Sequence, residues 1–256
     1  MEVPEGLGLE FLSTLISTRQ GLETLYERLE LRQSPGTLRN TWGTLQTFAQ
    51  YCVAKGWPAP PLVPSDRPQR NPQKPIVVYT DDDLDKLRTH AQVVGGVRWL
   101  LFLETLICTG RRVGEVLGLE YAWLNTSASP PHFHLPHTKN GRQAYVPLST
   151  HLLGLWTAEH IATMQTEHNG RFHRDPMTAP FPWSYSCAHK MFQHYCVKVG
   201  VNPRGYHNLR HTRATEMLAR GVPIQAVSAL LGHSSVATTD LLYNHTDALS
   251  YARYIN

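Results

Sequence analysis

Apolar positions recur along most of this chain at the three-and-four spacing of helices. Leu22, Leu25, Tyr26 and Leu29 fall at i, i+3, i+4 and i+7, so residues 7–32 read as helical with one amphipathic face. Ser34 followed by Pro35 is an N-cap and first-turn pair, and Leu38, Trp42, Leu45, Ala49 and Cys52 line one side of the helix it opens, with Gly56 ending it. Thr80 with Asp83 three on predicts another helix start, close to a capping box. Val97 to Cys108 is nearly all apolar and reads as a buried helix that Gly110 follows. Helices are expected again at 149–165 and 184–199. A further one begins near His207 and stops at Gly221, and the next, with Pro223 in its first turn, ends at Gly232.

One stretch breaks the helical period. Residues 132–148 alternate and then turn at Asn140-Gly141, a strong hairpin signal. The fold class is therefore mainly α with a small β-sheet, an α+β chain. Residues 57–75 hold seven prolines, at 58, 60, 61, 64, 68, 72 and 75, which favour an extended linker over helix or central strand. The expected organisation is a short helical domain over 1–56, a Pro-rich basic linker over 57–76, and a larger domain over 77–256 with a C-terminal tail.

Composition narrows the picture little. A net charge of +4 over 256 residues permits a polyanionic partner without requiring one. The four cysteines form no C-x-x-C pair and read as reduced thiols. No signal peptide stands at the start, and no uninterrupted apolar run reaches the roughly 18 residues of a membrane span. A cytoplasmic protein with no membrane partner is the expectation. Cys187, His189, His194 and Cys196 fall on two faces of one helix and cannot close a tetrahedron around zinc. Asp81-Asp82-Asp83 sits where a helix dipole favours acids, so it is not read as a metal site. No metal and no cofactor are expected.

The chemistry concentrates in His207 to Tyr243. His207 and Arg210, three apart on one helix, present an imidazole and a guanidinium together; Leu231-Gly232-His233-Ser234-Ser235 and Tyr243 follow. Cationic donors beside a phenol that can become a nucleophile suit one polyanionic centre. This stretch resembles the C-terminal signature of tyrosine recombinases, the phage-integrase-like DNA strand-transfer enzymes, whose pattern runs H-x-L-R-H-T, L-G-H-S-S, T-T and a Tyr before a His. Here those are His207 to Thr212, Leu231 to Ser235, Thr238-Thr239 and Tyr243-Asn244-His245. The family's Tyr commonly falls one position earlier, at Leu242 here; the Thr-Thr and Tyr-x-His framing assigns Tyr243, with Tyr251 and Tyr254 as rivals.

Two further boxes are similar to the same family. Thr109-Gly110-Arg111-Arg112-Val113-Gly114-Glu115-Val116 resembles T-G-x-R-x-x-E-L, which makes Arg112 the catalytic arginine and Glu115 its supporting carboxylate; the family commonly has an apolar residue where Arg111 stands. Lys139 at the hairpin matches the lysine of K-x-G-x-x-x-x-V-P-L. The resemblance implies a helical N-terminal DNA-binding domain, here short, and a catalytic domain that gathers Arg112, Lys139, His207, Arg210, His233 and Tyr243 around one phosphate. It implies cleavage and rejoining of double-stranded DNA at a specific site through a 3′-phosphotyrosyl intermediate, without metal or ATP. It also implies a tetramer on paired sites, accessory DNA-bending or directionality proteins, and a bacterial or phage-infected host. A type IB topoisomerase-like enzyme and a catalytically silent DNA-binding regulator are the alternatives. Two readings stay open: Arg67, Arg70 and Lys74 as a strap along DNA or as part of a plain spacer, and the tail's Ala248, Leu249, Ala252 and Ile255 as docking on its own domain or on a neighbour.

Overall fold

The computed structural model describes residues 17–57, 59–62, 68, 76–136, 143–164 and 174–232, with no side chains described over 161–164. The chain divides into two compact units, Met1–Pro75 and Ile76–Asn256.

In the first unit, α1 (Arg19–Glu30) and α2 (Pro35–Ala54) form a helical pair. Thr18 caps α1 by accepting from Gly21 N, and Ser34 caps α2 by accepting from Thr37 N, with Pro35 in the first turn. Leu22, Leu38, Trp42, Ala49 and Cys52 are buried between them, and Tyr26 meets Trp42 edge-on at 5.4 Å. Leu45 is only half-buried. The residues before Ser17 in the expected 7–32 helix lie outside the described residues.

The second unit begins with the capping box at Thr80: Asp83 N donates to Thr80 Oγ1, and Thr80 N donates to Asp83 Oδ2, both at 3.1 Å. Helix α3 (Asp81–His90) then runs through a wide π turn at Ala91–Gly95 into α4 (Gly96–Thr109). By length and composition the continuous stretch Asp81–Thr109 could cross a membrane, which the apolar-run argument missed. Its apolar side chains serve as the protein core instead: Trp99, Leu101, Phe102, Leu103 and Leu106 are all at most 2% exposed. Each such side chain contributes about 1.5–3 kcal/mol by leaving water.

After α4 come α5 (Val113–Leu117), a 3-10 turn at Tyr121–Trp123, and three antiparallel strands. Strand β1 (Leu124–Asn125) pairs with β2 (His132–Leu135), and β2 pairs with β3 (Ala144–Pro147), with Phe133 opposite Val146 and Leu135 opposite Ala144. Two of these strands are the expected hairpin; β1 is an addition. Alternation puts Phe133, Leu135 and Val146 inward, and Phe133 packs on Trp156 at 4.6 Å. The expected turn at Asn140-Gly141 lies outside the described residues.

Helices α6 (Thr150–Met164), α7 (Tyr185–Lys198), α8 (Tyr206–Ala219) and α9 (Ile224–Leu231) complete the unit. On α7, Cys187 is exposed and Cys196 buried. Pro223 is the N-cap of α9 rather than a first-turn residue. Ala214 and Met217 of α8 pack with Val227 and Leu231 of α9 as a second, small core. The lead-in segment 76–80 is stitched to the region of α8: Asn208 Nδ2 donates to Val77 O (2.6 Å), Arg204 Nη1 to Val78 O (2.9 Å), and Tyr79 N to Thr212 Oγ1 (2.9 Å).

Candidate active site

The second unit holds an open cavity of about 750 Å³. Its cationic wall comes from three places in the sequence: Arg111 and Arg112 after α4, Arg204 before α8, and Arg210 on α8, with the imidazole of His207 beside it. Four guanidiniums thus face one carboxylate, Glu115, among the described lining residues. Such a wall suits a polyanion.

Local structure explains each position. Helix α4 stops at Gly110, which adopts φ 62°; a Cβ there would lie 2.5 Å from Leu231 Cδ2, so the chain turns sharply beneath α9. Arg112 is the N-cap of α5, and Glu115 at its third position accepts from Arg112 N (3.4 Å) and from Arg112 Nη1 (3.0 Å). The carboxylate therefore fixes both the backbone and the guanidinium of Arg112. The same Nη1 donates to Gly232 O (3.4 Å), and the side chain is 29% exposed, which leaves it open to the cavity.

Arg210 is held harder. It is 3% exposed, and its Nη1 donates to Leu231 O (2.7 Å) and Gly110 O (3.0 Å). These carbonyls are oriented by the ends of α9 and α4, where helix dipoles place partial negative charge. His207 stands one turn earlier on α8, with its ring 4.8 Å from that of His211 and nearly perpendicular to it. Desolvation, then the charges of Arg210 and Arg112, hold the His207 imidazole below its usual pKa. It is consequently neutral at pH 7 and able to accept a proton. His211 is pushed down to about 4 by burial, then by His207 and Arg210.

The cavity lining also includes aromatic residues, among them Trp123, Tyr185 and Tyr206. Tyr206 is buried, its hydroxyl donates to Ala188 O (2.5 Å), and burial drives its pKa well up, so it is a poor nucleophile. Tyr185 is 55% exposed and stacks on His189.

Of the residues singled out in the sequence, Arg112, Glu115, His207 and Arg210 meet at this cavity. Lys139, His233 and Tyr243 lie outside the described residues, as do Tyr251 and Tyr254. Arg204 in this wall carried no sequence signal, and Arg111 and His211, which fall inside the quoted boxes, were given no role there. Arg204 is fixed by Val78 O, by Asp83 (3.3 Å) and by the Tyr79 ring.

Comparison with known proteins places the chain in a family. Residues 78–249 match the phage integrase family. The chain is 27% identical over 246 residues to the tyrosine recombinase XerD of Staphylococcus aureus (strain Mu50), covering 91% of this chain and 80% of that one. It is 28% identical over 235 residues to XerD of Staphylococcus epidermidis, covering 87% and 76%. In fold it is similar to the XerH site-specific recombinase bound to palindromic difH substrate, with a TM-score of 0.71 at 17% identity, covering 91% of this chain and 70% of that one. It is also similar to the Tn1549 transposon integrase in complex with circular intermediate DNA, with a TM-score of 0.66 at 17% identity over 100% and 94% of the two chains.

Proposed function

The chain belongs to the phage integrase family and is a tyrosine recombinase, an enzyme of site-specific DNA recombination; from that premise we propose which of its residues carry the reaction and what it binds. The observation that carries the assignment is the meeting of Arg112, His207 and Arg210 at one cavity, with Glu115 orienting Arg112. The substrate is double-stranded DNA at a specific site, and the scissile phosphate sits against the cationic wall.

Tyr243 attacks phosphorus in line and expels the 5′ oxygen of the next nucleotide, leaving a 3′-phosphotyrosyl bond. A free phenol has a pKa of about 10, so only about 0.1% is ionised at pH 7. A neutral His207 can take that proton, and its depressed pKa keeps it in the accepting form. Arg112 and Arg210 clamp the nonbridging oxygens, where charge grows in the transition state; planar guanidinium forks suit that geometry. His233 donates a further hydrogen bond to the phosphate, and Lys139 protonates the departing 5′ oxygen. The phosphotyrosyl bond conserves the energy of the broken one, so rejoining consumes no ATP. Attack by a 5′-hydroxyl of a partner duplex releases Tyr243 and exchanges strands.

Two rounds on paired sites require four protomers, so the working form is a tetramer on DNA, assisted by DNA-bending or directionality proteins in a bacterial or phage-infected cytoplasm. Residues 1–56 form a short clasp on DNA, 57–76 the linker, and 77–256 the catalytic domain with its tail.

The test is covalent capture. The purified protein is incubated with a library of nicked duplexes of random sequence, then denatured. The native chain is expected to carry DNA through the denaturing gel, and the captured strands reveal its site. Tyr243→Phe, which removes one oxygen and little volume, is expected to bind the captured duplex but form no adduct. An adduct that persists in Tyr243→Phe and disappears in Tyr185→Phe, Tyr251→Phe or Tyr254→Phe would reassign the nucleophile. No adduct with the native chain would leave a silent DNA-binding regulator in its place.

A further inference from the structure

Arg111 stands where the family commonly carries an apolar side chain, and the chemistry above gives it no task. It is nonetheless built into the site. The residue is 4% exposed, and its backbone N–H donates to Thr109 Oγ1 (3.3 Å). Its Nη1 donates to Leu231 O (3.2 Å) and lies 3.8 Å from Glu115 Oε2. Leu231 O is the carbonyl that also accepts from Arg210, and Glu115 is the carboxylate that orients Arg112. Gly232 closes over the guanidinium so tightly that a Cβ there would stand 2.1 Å from Arg111 Nη1.

This placement is unfavourable for the charge itself. Desolvation lowers the pKa of Arg111, Glu115 opposes that shift, and the neighbouring Arg112 adds to it. Its Nε and Nη2 have no hydrogen-bond partner among the described residues. An apolar side chain would fill the same space without those costs. What an apolar side chain could not do is join Glu115 to Leu231 O. The path Arg112–Glu115–Arg111–Leu231 O–Arg210 runs unbroken from the loop after α4, through the end of α9, to α8.

We propose that Arg111 is a positioning residue for strand cleavage: it ties the carboxylate that orients Arg112 to the carbonyl that orients Arg210, so that both guanidiniums address one phosphate as a single rigid fork. The proposal rests on the reading of Arg112 and Arg210 as the phosphate clamp. Without Arg111, the link between Glu115 and Leu231 O is lost, and among the described contacts the two anchors are joined only by Arg112 Nη1 to Gly232 O (3.4 Å) and Arg210 Nη1 to Gly110 O (3.0 Å). A displacement of about 1 Å in such a clamp is enough to slow the reaction roughly 100-fold.

The experiment compares the native chain with Arg111→Met and Arg111→Lys in single-turnover adduct formation on the captured duplex. A second duplex carries a methylphosphonate at the scissile position, where an uncharged methyl replaces one nonbridging oxygen. Arg111→Met is expected to melt no lower than the native chain and to bind the duplex equally well. Its adduct should form about 100-fold more slowly on phosphate DNA. On methylphosphonate DNA the gap should shrink to below about 10-fold, because less charge then needs the fork. Arg111→Lys, which keeps one donor and the charge, should fall between; if Arg111→Met does not fold, it carries the same comparison. Native-like cleavage by Arg111→Met would overturn the proposal. So would an equal defect on both duplexes, which is the mark of a general packing role. If the native chain forms no adduct on either duplex, the underlying reading of the clamp fails, and this inference with it.

Discussion

His211 presents a chemical problem at the scale of one side chain. It sits next to Arg210 in sequence and against His207 in space, and both neighbours and burial resist its protonation. The folded chain protonates it only near pH 4, whereas the unfolded chain does so near 6.5. Between those values the unfolded state binds more protons, so stability is complete above pH 6.5 and declines as pH falls towards 4. We expect the melting temperature of the native chain to drop between pH 7 and pH 5, and that drop to be smaller in His211→Asn. Equal drops in both proteins would place the sensitive group elsewhere. The site residues differ in how visible they were in the sequence. Arg112 and Glu115 could be read through their resemblance to the family's T-G-x-R-x-x-E-L box, a contiguous stretch of the chain. Arg111 could not, since its partner is a main-chain oxygen 120 residues away, and a carbonyl belongs to every residue type.

Helices α3 and α4 illustrate the same difference one level up. The start of α3 was legible in Thr80 and Asp83, and the end of α4 in Gly110, because capping chemistry is local. The π turn between them was not. Val93 and Val94 continue the apolar run yet are exposed, and Gly95 is required by the Trp99 ring, which a Cβ would approach to 2.5 Å. Strand β1, two residues long, is too short to show a period and exists only because β2 offers an edge. Across the turn, Arg88 of α3 reaches Glu104 of α4 at 2.7 Å, and the Glu104 side chain is 6% exposed. Removing the cation would leave a buried carboxylate with only the Cys108 thiol as a further partner among the described contacts. Arg88→Met is therefore expected to cost about 3 kcal/mol in urea denaturation. Arg88→Met with Glu104→Leu should regain more than half of it, since the pair can be replaced by apolar packing. A double variant no more stable than the single one would show that the carboxylate is not the source of the loss.

For the whole molecule, the question is how a chain of net charge +4 holds a polyanion. The cavity wall supplies cations in the second unit, and Arg67, Arg70 and Lys74 lie in the Pro-rich linker, outside the described residues. If those three touch phosphates, replacing all with Gln lowers the log–log salt slope of binding to the captured duplex by up to about 2.7, at roughly 0.9 per contact. An unchanged slope would make the segment a spacer. That proline cluster is what pointed to an extended linker in the sequence, because prolines interrupt helix and strand alike.

The stitching of residues 76–80 to the region of α8 also has a consequence in time. Val77 and Asn208 are 131 positions apart and hydrogen-bonded. At roughly 5–20 residues per second, a ribosome makes Asn208 about 7–26 seconds after Val77. Throughout that interval the lead-in segment lacks its partners on α8, and so does the clamp, since Arg210 arrives with them. Tyr243 is translated later still. On the proposed assignment of Arg112 and Arg210 as the clamp and Tyr243 as the nucleophile, the order of synthesis withholds the clamp until most of the chain exists, and withholds the nucleophile until after the clamp.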